Sequence, residues 1–445
     1  MRRATEIRKH YQARLAEAST PHEGRFKFLA EWREALGLGE CSRDEKTGVI
    51  RSFRESRDDT TGQPKLLKGR MSPYDSSLRE MAEGLLGERD FRRYFDPDEK
   101  QDLKSLTEAG PGLDPTAFMN INTFNLATTG LLEAQIMENF LNPDFIGDQL
   151  VTVRPTRLNG EKMIGLGGIA TAAGTITRVT GDHHARTGFG EQYVTTPELV
   201  EKAVAIDIDQ LTVFHDLTGM VLDRAAGIGD LLGYNRERTI LSLATGGTNS
   251  YNYNGTAYDT YQATTPWINT AANALETSSD YTLIDTVLDY FAKMTDPTTS
   301  REILITPKVL IHAPRRTNVV DRMLNATELR ETTNTNTVTI SPNLLRGRYT
   351  TLNSPILQAL LQTATSTTSG IGGLGLTEAQ ANGYWWLGDP KRAFKWMEAW
   401  PLRIKQASAS EYVMVDRGII AAYFANYRGV GAVSEPRYMF RSSKA

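Results

Sequence analysis

The sequence predicts an α+β protein. Three observations carry this: a charged first quarter patterned as helices, a change to strand-like alternation from Leu150 onward, and apolar β runs that return near the C-terminus. A chain of 445 residues has room for two or three domains. Its hydrophobic content of 40% and charged content of 23% are those of an ordinary soluble globular protein.

Residues 1–110 hold 22 Lys/Arg and 21 Asp/Glu out of 103 charged residues in the chain. Ile7, Tyr11, Leu15 and Ala18 recur at helical spacing. Thr20-Pro21-His22-Glu23 reads as a capping box that opens a second helix, with Phe26, Leu29 and Leu36 on its apolar face and Gly37 as its stop. Ser72-Pro73 and Asp96-Pro97 read as two further helix starts. Each apolar stripe is too thin for an independent core, so this region should pack on something else. The Pro- and Gly-containing stretch at 108–115 marks its end.

Beyond it, Leu150-Val151-Thr152-Val153-Arg154-Pro155 is strand-like. Residues 156–192 carry eight glycines and few large apolar side chains, a long hairpin-like excursion with little to bury. Val204, Ile206 and Ile208 then alternate with Ala203, Ala205 and Asp207 in a strand. A helix follows from about Leu217 to Ala244, with Val221, Ala225, Ile228 and Leu232 on one face; Gly227, Gly229 and Gly233 argue against its being unbroken. The Tyr-, Asn- and Thr-rich stretch 245–280 reads as polar loop. A helix at 281–294, a strand at 302–306 and a helix opened by Pro307 come next. Polar tracts at 333–341 and 363–370 precede Tyr384-Trp385-Trp386-Leu387-Gly388, and the chain ends in β runs at 393–400, 401–408, 411–415 and 418–433.

A net charge of −3 gives no general attraction to nucleic acid or anionic membrane. The single cysteine, Cys41, excludes an internal disulfide and fits folding in a reducing cytoplasm. The run Gly418–Tyr427 is too short to span a bilayer, and the N-terminus lacks the apolar core of a secretory signal.

Gly370, Gly372 and Gly375 match the G-x-G-x-x-G spacing of a dinucleotide turn. They follow a Thr/Ser tract where that turn needs a strand, and the only helical start afterwards, Thr377 to Gln380, is cut short by Asn382-Gly383. Loop glycines are the better reading. Asp182-His183-His184 resembles the Asp-His-His motif of a two-Mn²⁺ phosphoesterase family, with Asp207 and Asp209 as further candidate ligands. That family's aspartate motifs precede the Asp-His-His, whereas here Asp-x-Asp follows it, and its Gly-Gly-Gly-His is absent. A polar turn explains the same residues. Cys41 has no evident histidine partner, and His215 and His312 sit in apolar-flanked segments. No catalytic, cofactor-binding or metal residues are assigned.

The order of parts is the informative feature: charged arm, glycine-rich excursion, strand, long helix, loop-rich middle and C-terminal β segment. The close of the chain is the most specific stretch: the run at 384–408 is followed by the run at 415–440, which contains Arg428-Gly429 and then Glu435-Pro436. This arrangement resembles the major capsid proteins of tailed double-stranded DNA bacteriophages, the Hong Kong 97-like fold. The resemblance implies a charged helical N-terminal arm at 1–112, a connection at 113–155, an extended loop at 156–192 and a peripheral domain with a spine helix at 193–245. It further implies an axial domain at 246–403 and returning strands at 404–445. Function is then structural: hexamers and pentamers of the chain form an icosahedral shell, with scaffolding and portal proteins as partners. The shell encloses double-stranded DNA without sequence-specific binding, needs no cofactor and touches no membrane. It would assemble in the bacterial host cytoplasm and reside in the virion. Arg157, Lys162, Arg178 and Arg186 of the excursion are candidate intersubunit contacts. An encapsulin-type compartment is the alternative in the same fold, and the metal-dependent phosphoesterase the alternative in another class.

Overall fold

The computed structural model describes residues 2–18, 20–44, 50–57, 65–67, 71, 77–86, 91, 115–165, 169–170, 188–189, 193–215, 220–276, 281–296, 302–334, 337–364, 371–408 and 419–442. It mixes helices and sheets, as the sequence predicts.

The first helix, α1 (Arg2–Ala16), turns Ile7 and Tyr11 inward. The second, α2 (Pro21–Ala35), starts where expected: the Glu23 N–H donates to Thr20 Oγ1 at 3.3 Å, and Pro21 opens the helix. Glu23 pairs with Lys27 at 2.8 Å. The buried face differs from the expected one. Phe26 is exposed, while Phe28 and Trp32 are buried and stack at 6.0 Å, with Tyr11 edge-on to Phe28 at 5.1 Å. An i, i+4 aromatic pair lying over α1 takes the inward face.

An antiparallel hairpin of β1 (Gly39–Arg43) and β2 (Ile50–Glu55) follows, within a region the sequence reads as helical. Nearly every residue after the first in each strand is partly or fully exposed, so no apolar alternation marks it. The next helix, α3 (Leu78–Leu86), is capped by Ser77, whose Oγ accepts the Glu80 N–H at 3.1 Å, and it buries Leu78, Met81 and Leu85. The expected starts at Ser72-Pro73 and Asp96-Pro97 lie outside the described residues. Within 113–155, read from sequence as a connection, stands the 26-residue helix α4 (Pro115–Phe140). Helix α1 packs on α2 and α3, and α2 and α3 pack on α4, where Leu131, Leu132 and Ala134 are fully buried. This is the core the thin stripes could not form alone.

The short helix α5 (Gly147–Leu150) leads to β3 (Thr152–Pro155). In the excursion, β4 (Lys162–Ile164) and β5 (Ile169–Ala170) go out, and β6 (Gly188–Phe189) and β7 (Tyr193–Thr195) return. β4 pairs antiparallel with β7, and β5 with β6. β8 (Val200–Asp209) has the expected alternation, with Val204, Ile206 and Ile208 more buried than Ala203, Ala205 and Asp207. After α6 (Gln210–His215), α7 (Met220–Thr245) runs unbroken through its glycines.

The Tyr-rich stretch is loop only in part. β9 (Tyr251–Tyr253) and β10 (Thr256–Tyr258) form a hairpin about Asn254-Gly255, both at positive φ (50° and 81°). Asn-Gly between alternating tyrosines is a strong hairpin signal that its polar composition masks. β11 (Thr270–Ala271) and α8 (Tyr281–Ala292) follow. The expected strand at 302–306 is reduced to one bridge between Glu302 and Thr295, and Leu304 is exposed. Pro307 opens no helix; β12 (Val309–His312) comes next, and α9 (Thr317–Asn325) only after Pro314. β12 is flanked by neighbours on both sides, which the stretch at 302–306 lacks. The polar tract near 335 is a second hairpin of β13 (Glu328–Asn334) and β14 (Thr337–Pro342).

The remainder comprises β15 (Thr350–Leu352), α10 (Pro355–Gln362), α11 (Glu378–Ala381), β16 (Trp385–Gly388), α12 (Pro390–Ala393), β17 (Phe394–Ser408), β18 (Ile419–Val433) and β19 (Met439–Ser442). The two runs expected at 393–400 and 401–408 are one strand, β17; the run at 411–415 lies outside the described residues.

The chain divides into two compact units. The first holds residues 1–142, 201–234 and 400–428; the second holds 143–200, 235–399 and 429–445. In the first unit, α1–α4 pack together, the Arg33 guanidinium joins α2 to α4 through Glu133 at 2.8 Å, and β18 runs beside β8. In the second, a five-stranded sheet of order β11-β19-β16-β12-β15 is covered by α8 and α9. Ile284, Val287, Phe291, Leu310, Val320, Met323, Trp385 and Phe440 form that core. Also in the second unit, β3 pairs parallel with the start of β17, and a four-stranded sheet takes the order β10-β9-β7-β4.

Candidate assembly surfaces

The base of the excursion, in the second unit, is pinned by short-range polar contacts. Thr196 N–H donates to the Glu161 carbonyl at 3.0 Å, Leu199 N–H to Asn159 Oδ1 at 2.7 Å, and Thr156 Oγ1 to Glu161 Oε2 at 2.5 Å. Thr156 N–H also reaches the Glu398 carbonyl of β17 at 2.8 Å. From this base the pleat of β4 and β7 sends side chains two ways. Met163 and Val194 are buried, Met163 against Met397 and Ala432. Ile164 points out and is 91% exposed, and Leu158 is 66% exposed. Ile164 faces Tyr193 across the ladder, and the Lys162 ammonium lies over the Tyr193 ring at 4.3 Å.

The tyrosine hairpin braces this base. β9 pairs with β7, and the Tyr193 N–H donates to Asn254 Oδ1 at 2.9 Å. Tyr251 stacks on Tyr253 at 5.9 Å and meets Trp267 edge-on at 5.5 Å; Arg437 lies over the Trp267 ring at 4.6 Å. Arg437 and Glu435 form a buried pair at 2.8 Å, which the sequence signals only as Glu435-Pro436. Burial pushes the Glu435 carboxyl above its ordinary value, opposed by Arg437. Beside the hairpin lies a cavity of about 450 Å³, lined by Thr195, Glu198, Leu243, Tyr251 and Val430 among others.

Of the candidate contact residues, Arg157 and Lys162 are exposed; Arg178 and Arg186 lie outside the described residues. So do Asp182, His183 and His184. Asp207 is exposed and Asp209 half-buried on β8. Among the described residues no three His, Cys, Asp or Glu side chains converge as a metal site would require, and no helix is long and apolar enough to cross a membrane. Burial and then Glu34 push the Cys41 thiol up to about 12, so it is a thiol and not a thiolate at neutral pH. His312 is buried with Nδ1 2.9 Å from the Ala313 carbonyl, and burial lowers its pKa. His215 is exposed and edge-on to Phe214 at 5.1 Å.

Gly370 lies outside the described residues, and Gly372 and Gly373 do packing work. The Ser242 hydroxyl donates to the Gly372 carbonyl at 2.6 Å and accepts the Gly372 N–H at 3.0 Å. A Cβ at Gly373 would collide with the carbonyls of Leu360 and Thr363. The helix that follows, α11, has four residues and a complete capping box between Thr377 and Gln380.

Sequence reading missed Glu237, on α7. Its buried carboxylate accepts the N–H groups of Ile146 and Gly147 at 3.0 and 2.8 Å, capping α5, while Arg236 pairs with Asp148 at 2.5 Å. Ninety residues separate these partners in the chain, so no local pattern announces them.

A family model described as phage capsid protein matches residues 190–442. No curated protein matches the chain. Among solved structures, the capsid of Cyanophage P-SCSP1u is 11% identical, with 66% of this chain and 86% of that chain covered and a TM-score of 0.40. The capsid of a native GTA particle is 13% identical, with coverage of 67% and 89% and a TM-score of 0.40. The mature capsid of bacteriophage PhiM1 is 13% identical, with coverage of 67% and 86% and a TM-score of 0.38. Likenesses this loose establish no residue correspondence.

Proposed function

Because the chain belongs to the phage capsid protein family, we propose that it is the major subunit of an icosahedral shell of Hong Kong 97 type that encloses double-stranded DNA. The family match across residues 190–442 is the observation that carries this reading. On it, 156–192 is the extended loop, 193–245 the peripheral domain with α7 as spine, 246–403 the axial domain, 404–445 the returning strands and 1–112 the charged helical N-terminal arm. The shell is built of hexamers and pentamers, with scaffolding and portal proteins as partners. The role is structural, and repeated contacts between copies replace catalysis. The excursion supports it physically: Ile164 at 91% exposure is an apolar side chain held out on a pinned hairpin, where a second copy can bury it. Arg157, Lys162, Arg178 and Arg186 supply its cations for acidic groups of that copy.

The test is negative-stain microscopy of the protein purified after expression, with a scaffold where one is needed. Closed shells or capsomers are expected. A stable monomer under every assembly condition would overturn the reading, and shells loaded with a cargo protein in place of nucleic acid would indicate an encapsulin-type compartment.

A further inference from the structure

In the second unit, cations from separate stretches of chain meet at Asp389. Lys308 Nζ lies 3.8 Å and Arg392 Nε 3.6 Å from the same Asp389 oxygen. Lys395 Nζ donates to the Lys391 carbonyl at 2.7 Å, which also accepts Thr152 Oγ1 at 2.8 Å. The parallel pairing of β3 with β17 sets Thr152 beside Lys395 and Arg154 beside Met397, so Arg154 comes to the same side of the ladder as Lys395. Burial lowers the Lys395 pKa; Asp389 opposes the fall, and the charges of Arg154 and Arg392 deepen it.

Asp389 thus pairs with Lys308 and Arg392 and lies within charge reach of Lys395, while Arg154 stands within charge reach of Lys395. The side chains of Lys308 and Arg392 are 66% and 59% exposed, whereas that of Asp389 is 14% exposed. The chain as a whole carries −3, so the cluster is a local exception. None of the large exposed apolar side chains belongs to β3, to α12 or to residues 394–399. A protein-docking surface is built around aromatic or apolar anchors and is poor in lysine; a phosphodiester backbone needs cations alone.

We propose that Arg154, Lys308, Arg392 and Lys395 form the surface through which the subunit contacts the phosphate backbone of duplex DNA, with no reading of bases. This rests on the capsid reading for the presence of DNA.

The experiment is fluorescence anisotropy of a mixed-sequence DNA duplex titrated with the full chain across a range of salt. Neutralising up to four phosphates makes wild-type affinity fall roughly a hundredfold between about 50 and about 200 mM salt. Combining Arg154→Gln, Lys308→Gln, Arg392→Gln and Lys395→Gln should abolish that binding. Lys308→Gln alone, at an exposed side chain, should reduce the log–log salt slope by about 1 with an unchanged melting temperature. Wild-type affinity and slope in both variants would overturn the proposal, as would absence of salt-dependent binding by the wild type. A combined variant that still binds duplex but no longer forms shells would make the cluster a contact between subunits and also overturn it. Wild-type protein that binds duplex in this manner yet never forms shells would support the cluster and sink the capsid reading.

Discussion

Gly229 lies where α7 crosses α4, and a Cβ there would collide with the backbone of Ile136. Two residues earlier, Gly227 has nothing within 4 Å of where its Cβ would be. The same substitution should thus act in opposite directions. Gly229→Ala should destabilise by about 1–3 kcal/mol through overpacking, and Gly227→Ala should stabilise by up to about 1 kcal/mol through helix propensity. Urea denaturation of the isolated subunit measures both, and equal effects would show that the crossing is not tight. Glu435 and Arg437 make a second case, each side chain no more than 4% exposed. Glu435→Ala leaves a buried guanidinium uncompensated and should cost about 3–5 kcal/mol. Adding Arg437→Met to that variant should restore much of the loss; no restoration would locate the damage elsewhere than in the stranded charge.

At the scale of elements, the excursion separates folding from assembly. Its base is held by β4, β7 and β9 and by the contacts of Thr156, Asn159 and Glu161, all on described residues outside 166–191. Replacing 166–191 with a short Gly-Ser turn should therefore leave a folded chain with a near-normal circular dichroism spectrum and melting temperature. On the extended-loop assignment proposed above, shell formation should stop or give distorted particles. Normal shells from this variant would refute the extended-loop assignment, and an unfolded variant would mean that the segment belongs to the core.

At the scale of the whole molecule, two buried carboxyls and one partly buried one among the described residues titrate in the same sense. Burial raises Glu133, Glu237 and Glu435 above the ordinary value of 4.5. A carboxyl whose folded pKa exceeds its unfolded one binds protons more tightly when folded. Its stabilising contribution is complete below pH 4.5 and is lost as pH rises through the folded value. His312, lowered by burial, acts oppositely: its contribution is present above the ordinary 6.5 and is lost as pH falls through the folded value. Glu237→Gln should flatten the decline in stability on the neutral side of pH 4.5, whatever its effect on absolute stability. Denaturation midpoints of wild type and variant across that range provide the measurement. Parallel pH profiles would show that Glu237 titrates alike in the folded and unfolded chain.

The sequence by itself determined what depends on short spacing. The 3.6-residue stripe of Ile7 and Tyr11, the Thr20-Pro21 cap, the alternation in β8, the long helix α7 and the β runs of β16 to β18 are all local, because a helix face, a cap or a pleat is complete within a few residues. The order of those parts also pointed to the capsid family that residues 190–442 match. Tertiary structure alone decided what depends on partners far away in the chain. Residues 302–306 are apolar enough for a strand but find only one bridge, while β12 gains neighbours on both sides. Polar tracts became hairpins because Asn254-Gly255 could turn the chain and aromatic neighbours could bury its tyrosines. The contact of Thr152 with Lys391 spans 239 residues, and that of Glu237 with Gly147 spans 90. Buried caps and charge clusters of this kind leave no periodic trace, since their energy comes from groups that only the folded chain brings within hydrogen-bonding or Coulombic reach.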